Sequence, residues 1–207
     1  KIHVKPLITE IVPLNDYQKI YGEIGQSKSI ASILSYNDAI YSNQITLKDN
    51  INQKNNSGIA IIGAGNFTKM TLLPAIKNTP ANIVTIVSNG GVSGTALAQK
   101  FNISKSSTDI KTVLNDDSVN TVIITTRHNL HAPMVIESLK AGKNVFVEKP
   151  LALNNEELEN IIEVYEKGSS LLTVGFNRRF SPFAIKMKSL LGNSNEPINV
   201  IATMNAG

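Results

Sequence analysis

A short apolar run that ends in two glycines constrains the fold of this chain more than any other feature. Residues 58–62 read GIAII, and the glycine turn GAG follows at 63–65. The next apolar residues recur at helical spacing, at Phe67, Met70, Leu73 and Ile76. Apolar strand, glycine turn and amphipathic helix is the order that suits a dinucleotide pyrophosphate. A strand-to-helix turn that binds nothing is the alternative.

Each part of this segment has a physical role in such a site. A first glycine permits a tight turn, and a second lets phosphates approach the backbone without a Cβ in the way. The helix N-terminus then offers unpaired N–H groups to an anion. We therefore predict cofactor contacts from Gly63, Gly65, Asn66 and Phe67. The third small position holds Thr68, and we expect this β-branched residue to push the helix slightly off the sheet.

From residue 58 onward, segments with strand character alternate with segments of helical spacing. The predicted strands are 58–62, 83–87, 121–125, 144–147, 171–174 and 198–204. The predicted helices are the first one above, one capped by Ser93, then 109–114, 131–141, one capped by Asn154 with Glu157, and 183–191. This alternation predicts an α/β fold with a doubly wound parallel sheet that helices cover on both faces.

Composition excludes several classes of function. The 207 residues carry a formal charge of +4, the lysines are scattered and aromatic residues make up 5%, so we expect no nucleic-acid partner. The chain has no cysteine and three histidines, which argues against disulfides and against a metal site. No apolar run approaches the roughly 20 residues of a membrane helix, and no signal peptide is visible. We predict a cytoplasmic protein with no membrane partner.

The residues after the second strand leave the choice of cofactor open. A carboxylate there usually reads the ribose hydroxyls of NAD, and a nearby arginine accommodates the phosphate of NADP. This chain has Ser88, Asn89, Gly90 and Gly91 at that place. The missing carboxylate removes repulsion against NADP, and small polar residues with free N–H groups can hold a phosphate. We predict that Ser88 and Asn89 contact NAD or NADP.

A polar loop follows the strand at 121–125, and ligands bind beyond the carboxyl ends of such strands. Residues 125–131 read TTRHNLH. We place Thr125, Thr126, Arg127, His128 and His131 near the cofactor. The alternative makes His131 only the start of a helix and Arg127 a surface charge.

Two charged segments follow the next strands. Lys149 stands between Glu148 and a proline, and a lysine held stiffly near a sugar hydroxyl can pass a proton as a hydride leaves. A surface Glu–Lys pair is the alternative. Arg178 and Arg179 follow the strand at 171–174. On an extended chain only one of them can point into a pocket and bind an anion, and a structural ion pair is the alternative.

Four segments in this order and spacing resemble the glucose-fructose oxidoreductase / inositol dehydrogenase family, called Gfo/Idh/MocA. They are IIGAGNF at 61–67, TTRHNLHA at 125–132, VFVEKPLAL at 145–153 and VGFNRRFSP at 174–182. The resemblance implies a Rossmann domain over 58–176 that binds NAD or NADP, with contributions from Glu148 and Arg178. It implies that Lys149 is the catalytic lysine beside the nicotinamide. The implied reaction moves hydride to or from a hydroxyl of a sugar, nucleotide-sugar or polyol.

The chain departs from the family pattern in two respects. The residues at 126–128 are Thr-Arg-His where the family has Thr-Pro-Asn, whereas His131 matches the family histidine. Residues 177–207 look like only the start of the family's C-terminal substrate domain, whose further catalytic Asp and His would lie beyond Gly207. We therefore expect a piece of a longer, homo-oligomeric enzyme that binds the cofactor and turns over poorly by itself.

The first part of the chain has a different character. Residues 1–38 resemble the C-terminal tail of zinc-type medium-chain alcohol dehydrogenases, through VKPLIT, a short helix and a closing strand. None of that family's chemistry carries over. Residues 39–57 are rich in asparagine and are predicted to be a linker with a brief strand at 44–47, although a surface loop of one continuous domain is the alternative. The layout looks like bi-domain dehydrogenases associated with polysaccharide biosynthesis.

Two other functions stay open from the sequence. A glycoside hydrolase or lyase of the same family would use a tightly held NAD transiently and release no net NADH. A non-catalytic nucleotide-sensing module would keep the fold but tolerate loss of Lys149. The presence of both Lys149 and Arg178 favours an enzyme.

Overall fold

The computed structural model describes residues 3–22, 29–36, 42–48, 57–192, 197, 199–201 and 203. The chain divides into two compact units, residues 1–42 and residues 43–207. Of the strand predicted at 198–204, residues 199–201 and 203 are described and none of them lies in a strand, whereas residues 198, 202 and 204 lie outside the described residues. No helix in the described part of the chain is long and apolar enough to cross a membrane.

The N-terminal unit is a small strand–helix–strand arrangement. Strand β1 (Ile8–Pro13) pairs in parallel with strand β2 (Ala31–Ser35), and helix α1 (Tyr17–Gly22) lies between them in the chain. Single turns of 3-10 helix precede β1 at Lys5–Leu7 and follow it at Leu14–Asp16. The described residues of this unit include no fully buried side chain. The helix and strand expected here are thus present, but they enclose no core.

The second unit is built on a seven-stranded sheet in the order β3-β6-β5-β4-β7-β8-β9. Its strands are β3 (Gln44–Thr46), β4 (Gly58–Ile62), β5 (Asn82–Val87), β6 (Lys105–Ser107), β7 (Val119–Ile124), β8 (Asn144–Glu148) and β9 (Leu172–Gly175). Strands β4 to β9 all run parallel to one another, and β3, on the edge beside β6, is antiparallel to them. Chain order reverses direction at β4, which is the topological switch point of a doubly wound sheet.

Helices cover both faces of this sheet. They are α2 (Leu73–Ile76), α3 (Val92–Phe101), α4 (Lys111–Leu114), α5 (His131–Lys140) and α6 (Asn155–Glu166). A last helix, α7 (Pro182–Leu191), has no buried residue. Ala60 and Ile62 of β4 belong to a core cluster shared with α5 and α6, whereas Ile61 belongs to a second cluster shared with α2 and α3. Because neighbouring residues of a strand point to opposite faces, this split confirms the predicted Rossmann-type α/β fold.

The first helix of this unit differs from the predicted helical face. Met70 was expected to be buried, but 72% of it is exposed, whereas Thr68 and Leu73 are fully buried. The reason is a π-helical turn at Thr68–Leu72, in which the Leu73 N–H donates to the Thr68 carbonyl. A wider turn rotates the side chains that follow it. The π turn lies directly before Pro74, which has no N–H to donate.

Two predicted helix starts have different outcomes. Asn154 caps α6 as expected: its side chain accepts from the Glu157 N–H at 2.8 Å, and the Glu157 carboxylate accepts from the Leu153 N–H at 2.8 Å. Ser93 was wrongly predicted as the cap of α3, because that helix begins at Val92, two residues before the start that a Ser93 cap implies, and Gly91 occupies the cap position.

Candidate active site

The turn after β4 is shaped by a close approach to β7. Gly63 has φ of +116°, and a Cβ on it would lie 2.7 Å from the Thr125 hydroxyl. Its N–H donates to the Val87 carbonyl at 2.9 Å, and the Thr125 N–H donates to the Ile62 carbonyl at 2.9 Å. Glycine is therefore required at this position by both backbone conformation and space.

Gly65 leaves the space before the helix open. A Cβ at this position would meet no atom within 4 Å. The helix that starts at residue 66 presents its first N–H groups here. An open approach to backbone N–H groups at a helix start is what a pyrophosphate needs, so the residues present fit a dinucleotide.

Thr68 is hydrogen-bonded into this turn. The side chain is fully buried, its hydroxyl donates to the Gly63 carbonyl at 2.8 Å, and the Thr125 hydroxyl lies 2.7 Å from its Oγ1. We had expected only a steric effect from a β-branched residue at this place. The hydroxyl instead binds the start of the helix to the turn and to the end of β7.

Two clefts open at the carboxyl ends of the strands, one on each side of the Gly63 turn. The β5-side cleft, of about 830 Å³, is lined by Ile62, Gly63, Ala64, Gly65, Val87, Ser88, Asn89, Gly90, Ser93, Thr108, Asp109, Ile110, Thr125, Thr126, Arg127, Leu130 and Met134. The β8-side cleft, of about 820 Å³, is lined by Phe67, Thr125, Thr126, His128, His131, Glu148, Lys149, Gly175, Phe176, Asn177, Arg178 and Arg179. Thr125 and Thr126 line both, so the clefts meet at the end of β7.

The clefts bring most of the predicted site residues together. Gly63, Gly65, Ser88, Asn89 and Arg127 lie along the β5-side cleft. Phe67, His128, His131, Lys149 and Arg178 lie along the β8-side cleft, together with Glu148. Asn66 is exposed and lines neither cleft.

The β5-side cleft also contains a carboxylate that sequence reasoning missed. Asp109 follows β6, whereas the sequence pattern places the ribose reader after β5. Ser88, at the end of β5, is buried, and its hydroxyl accepts from the Gly94 N–H at 3.1 Å. Because β5 and β6 are adjacent, both side chains reach the same end of the cleft. Sheet order, which the sequence does not display, decides this grouping.

His131 is buried between two loops, with a carbonyl oxygen near each ring nitrogen. Nδ1 lies 2.7 Å from the Pro150 carbonyl oxygen, and Nε2 lies 3.2 Å from the Thr126 carbonyl oxygen. The tautomer protonated at Nδ1 donates the shorter of these bonds. The imidazole thus ties the loop after β7 to the turn that contains Lys149.

Lys149 and Glu148 do not form the surface pair that was the alternative interpretation. Glu148 Oε1 accepts from the Asn177 amide at 2.6 Å. Lys149 is exposed and forms no ion pair with any carboxylate of the described residues. Its side chain is therefore available to a ligand in the β8-side cleft.

Arg178 and Arg179 both line this cleft, so the expectation that only one of them could do so is wrong. The chain there is not extended but forms a turn of 3-10 helix at Asn177–Phe180. The Arg179 guanidinium lies 5.7 Å from the centre of the Phe176 ring, a cation–π contact. With Lys149, three cationic side chains line this cleft, together with the one carboxylate of Glu148.

Residues 57–176 match the model of the Gfo/Idh/MocA family, which is described as an oxidoreductase family with an NAD-binding Rossmann fold. The match covers more than half of the chain. The chain belongs to this family. The predicted family and the predicted pyridine-nucleotide cofactor are thereby confirmed.

Several relatives within the Gfo/Idh/MocA oxidoreductases are dehydrogenases. Inositol 2-dehydrogenase of Salmonella typhimurium is 30% identical over 149 residues, which cover 69% of this chain and 43% of that protein. Inositol 2-dehydrogenase/D-chiro-inositol 3-dehydrogenase of Lactiplantibacillus plantarum is 34% identical, over 65% of this chain and 38% of its own. The crystal structure of GenD2 from gentamicin A biosynthesis in complex with NAD has a TM-score of 0.61 and 26% identity, over 66% of this chain and 39% of that one. The chain spans less than half the length of these relatives.

Proposed function

We propose that this chain carries the cofactor-binding part of an NAD(P)-dependent oxidoreductase that acts on a hydroxyl of a sugar, nucleotide-sugar or polyol. The observation that carries the proposal is the position of Lys149 in a cleft that meets the Gly63 turn at Thr125 and Thr126. The inositol dehydrogenases among the relatives support a polyol or sugar substrate.

The two clefts bind different halves of the dinucleotide. Gly63 permits the tight turn against Thr125, and Gly65 leaves room for the pyrophosphate at the start of the helix, where N–H groups and the helix dipole favour negative charge. The β5-side cleft then receives the adenosine half, because the ribose reader of this fold follows the second strand of the parallel order, here β5. The β8-side cleft receives the nicotinamide half and the substrate.

The chemistry requires a hydride acceptor and a proton acceptor. The nicotinamide, when bound, accepts or supplies the hydride. Lys149 in its amine form takes the hydroxyl proton of the substrate as the C–H bond breaks, and returns it in the reverse direction. Arg178 and Arg179 add positive charge to the same cleft, which favours binding of an anionic dinucleotide.

Titration of the chain with NADH and with NADPH, followed by fluorescence, tests the cofactor site and measures the preference between the two. Equal millimolar dissociation constants for both would overturn the proposal. In the full-length protein, Lys149→Ala should abolish hydride transfer and leave the dissociation constant of the cofactor nearly unchanged. Lys140→Ala, at an exposed position of α5 outside both clefts, is the matched control and should retain activity.

A hydrolase or lyase of the same family would give a different result. It would consume substrate without net formation of NADH, which absorbance at the NADH band detects. Retention of full activity in Lys149→Ala would instead favour a nucleotide-sensing role.

The remaining parts of the proposal concern the context of the chain. The β1–α1–β2 order of the N-terminal unit is compatible with the tail of a medium-chain dehydrogenase. We assign the full-length protein to polysaccharide biosynthesis in the cytoplasm, as a homo-oligomer. Sedimentation of the full-length protein and analysis of polysaccharide in a strain lacking it would test these assignments.

A further inference from the structure

Strand β3 lies outside the segment that matches the Gfo/Idh/MocA family. The family match begins at residue 57, whereas β3 is Gln44–Thr46, within the region predicted to be a linker. It nevertheless forms the seventh strand of the sheet, antiparallel to β6, with Gln44 opposite Ser107 and Thr46 opposite Lys105. The predicted brief strand is thus confirmed, and it is part of the sheet of the second unit.

Both ends of β3 are anchored to β6 by backbone bonds. At one end the Asn43 carbonyl accepts from the Thr108 N–H at 2.8 Å, and at the other the Leu47 N–H donates to the Ser104 carbonyl at 2.8 Å. The Leu47 side chain packs against the core cluster that contains Ile103. These contacts hold the segment in one register on the edge of the sheet.

The anchor at Asn43 continues into the β5-side cleft. Its carbonyl also accepts from the Ser107 hydroxyl at 2.8 Å, and that hydroxyl accepts from the Asp109 N–H at 3.0 Å. The Ser107 carbonyl accepts from the Ser88 N–H at 2.9 Å. Ser107 therefore connects β3 to two residues of the cleft wall, Asp109 and Ser88, without lining the cleft itself.

We propose that segment 43–47 is a positioning element for the adenosine end of the cofactor site. It does not contact the cofactor. It holds the loop at 107–109, and thereby Thr108 and Asp109, in the place where they form the cleft wall. This inference rests on the proposed function, in which the β5-side cleft receives the adenosine half. Affinity for the dinucleotide then depends on a strand that precedes the family domain.

Hydrogen-bonded and non-hydrogen-bonded positions alternate along the antiparallel pair of β3 and β6, so two neighbouring residues of β3 give a test variant and its control. Since Asn43 and Leu47 form hydrogen bonds with the residues opposite them, Ile45 occupies a hydrogen-bonded position and Thr46 does not. Ile45→Pro removes a ladder N–H, whereas Thr46→Pro removes an N–H that points away from β6. Both residues are exposed, so neither change opens the core.

Affinity for NADH and for ADP-ribose is measured in the wild-type chain and in both variants. We expect Ile45→Pro to raise both dissociation constants about five- to tenfold, because it removes about one well-placed hydrogen bond. Thr46→Pro should change both dissociation constants less than twofold. Equal affinities in all three chains would overturn the inference and leave the proposed function intact. A wild-type chain that binds neither ligand would overturn the proposed function, and this inference with it.

A second measurement needs no variant. Because coupling between sites is reciprocal, ligand binding must strengthen the pairing of β3 if that pairing strengthens binding. Saturating ADP-ribose should slow amide hydrogen exchange at Leu47, whose N–H donates to the Ser104 carbonyl, and at Thr108, whose N–H donates to the Asn43 carbonyl. The Gly168 amide, bonded to the Tyr165 carbonyl at the end of α6, serves as the control and should not change. Unchanged exchange at Leu47 and Thr108 under saturation would contradict the inference.

Discussion

The imidazole of His131 joins the turn after β8 through a bond of 2.7 Å between its Nδ1 and the Pro150 carbonyl oxygen. The ring is fully buried, and its other nitrogen faces the Thr126 carbonyl. Since Pro150 directly follows Lys149, this histidine fixes the backbone that carries the proposed proton acceptor. In this chain the His131 side chain therefore connects the loop after β7 to the turn after β8.

Loss of this imidazole should destabilise the fold. His131→Ala leaves the Pro150 carbonyl without its Nδ1–H donor and opens a cavity, so we expect the free energy of unfolding to fall by about 2–4 kcal/mol. Urea unfolding followed by circular dichroism measures this. His128→Ala is the matched control, because His128 is exposed, and the change there should stay within about 0.5 kcal/mol. Equal effects of the two variants would contradict the structural role of His131.

The two glycines of the turn should respond differently to alanine. Gly63→Ala places a Cβ against Thr125 at positive φ, so we expect a loss of about 2 kcal/mol or more in unfolding free energy. Gly65→Ala meets no protein atom, so stability should change by less than about 1 kcal/mol while the dissociation constant of NADH rises about tenfold or more. Thermal unfolding and fluorescence titration separate these effects. Normal NADH affinity in Gly65→Ala would place the pyrophosphate elsewhere.

The hydroxyl of Thr68 should contribute to the stability of the turn. Thr68→Val keeps the shape of the side chain but removes the donor to the Gly63 carbonyl, and we expect a cost of about 1–2 kcal/mol. Thr68→Ser retains the hydroxyl and should lose less, since only a methyl group is removed. Chemical denaturation of both variants shows whether the hydroxyl or the side-chain shape contributes more to stability. A more stable valine variant would show that side-chain shape, not the hydrogen bond, determines this position.

Asp116 should make stability depend on acid pH. Burial raises the pKa of this carboxyl, but hydrogen bonds from Lys105 and Ser118 outweigh burial and hold its pKa below the ordinary value. The charged form is therefore favoured in the folded state, and its contribution is complete above the ordinary aspartate pKa of about 4. That contribution disappears as pH falls through the lowered pKa of the folded protein.

The Asp116→Asn variant provides the measurement. Because solvent screens part of the interaction with Lys105, we expect it to lower the free energy of unfolding by about 1 kcal/mol at neutral pH. Urea unfolding of both chains between about pH 2 and pH 7 should show the difference shrinking toward the acid end. Asp117→Asn is the neighbouring control. A difference between wild type and Asp116→Asn that stays constant with pH would show that the carboxylate charge is not involved.

Much of the fold follows from local patterns in the chain. The five apolar residues at 58–62, the glycines after them and the alternation of later segments predict the strands and the doubly wound sheet, because these signals depend on neighbours within one element. Predictions failed where a short π or 3-10 turn changed the local geometry. The π turn at Thr68 shifted Met70 out of the core, and the 3-10 turn at residues 177–180 let both arginines line one cleft.

The sequence by itself determined the family, the strand–turn–helix that accepts a dinucleotide, and the loops that end in Lys149 and Arg178. Only the tertiary structure decided which distant segments meet. It brought Asp109 beside Ser88, placed His131 between two loops, and added β3 to the edge of the sheet. Local periodicity is set by the geometry of one helix or strand. The meeting of strand ends depends on the order in which strands pair, and no residue spacing along the chain records that order.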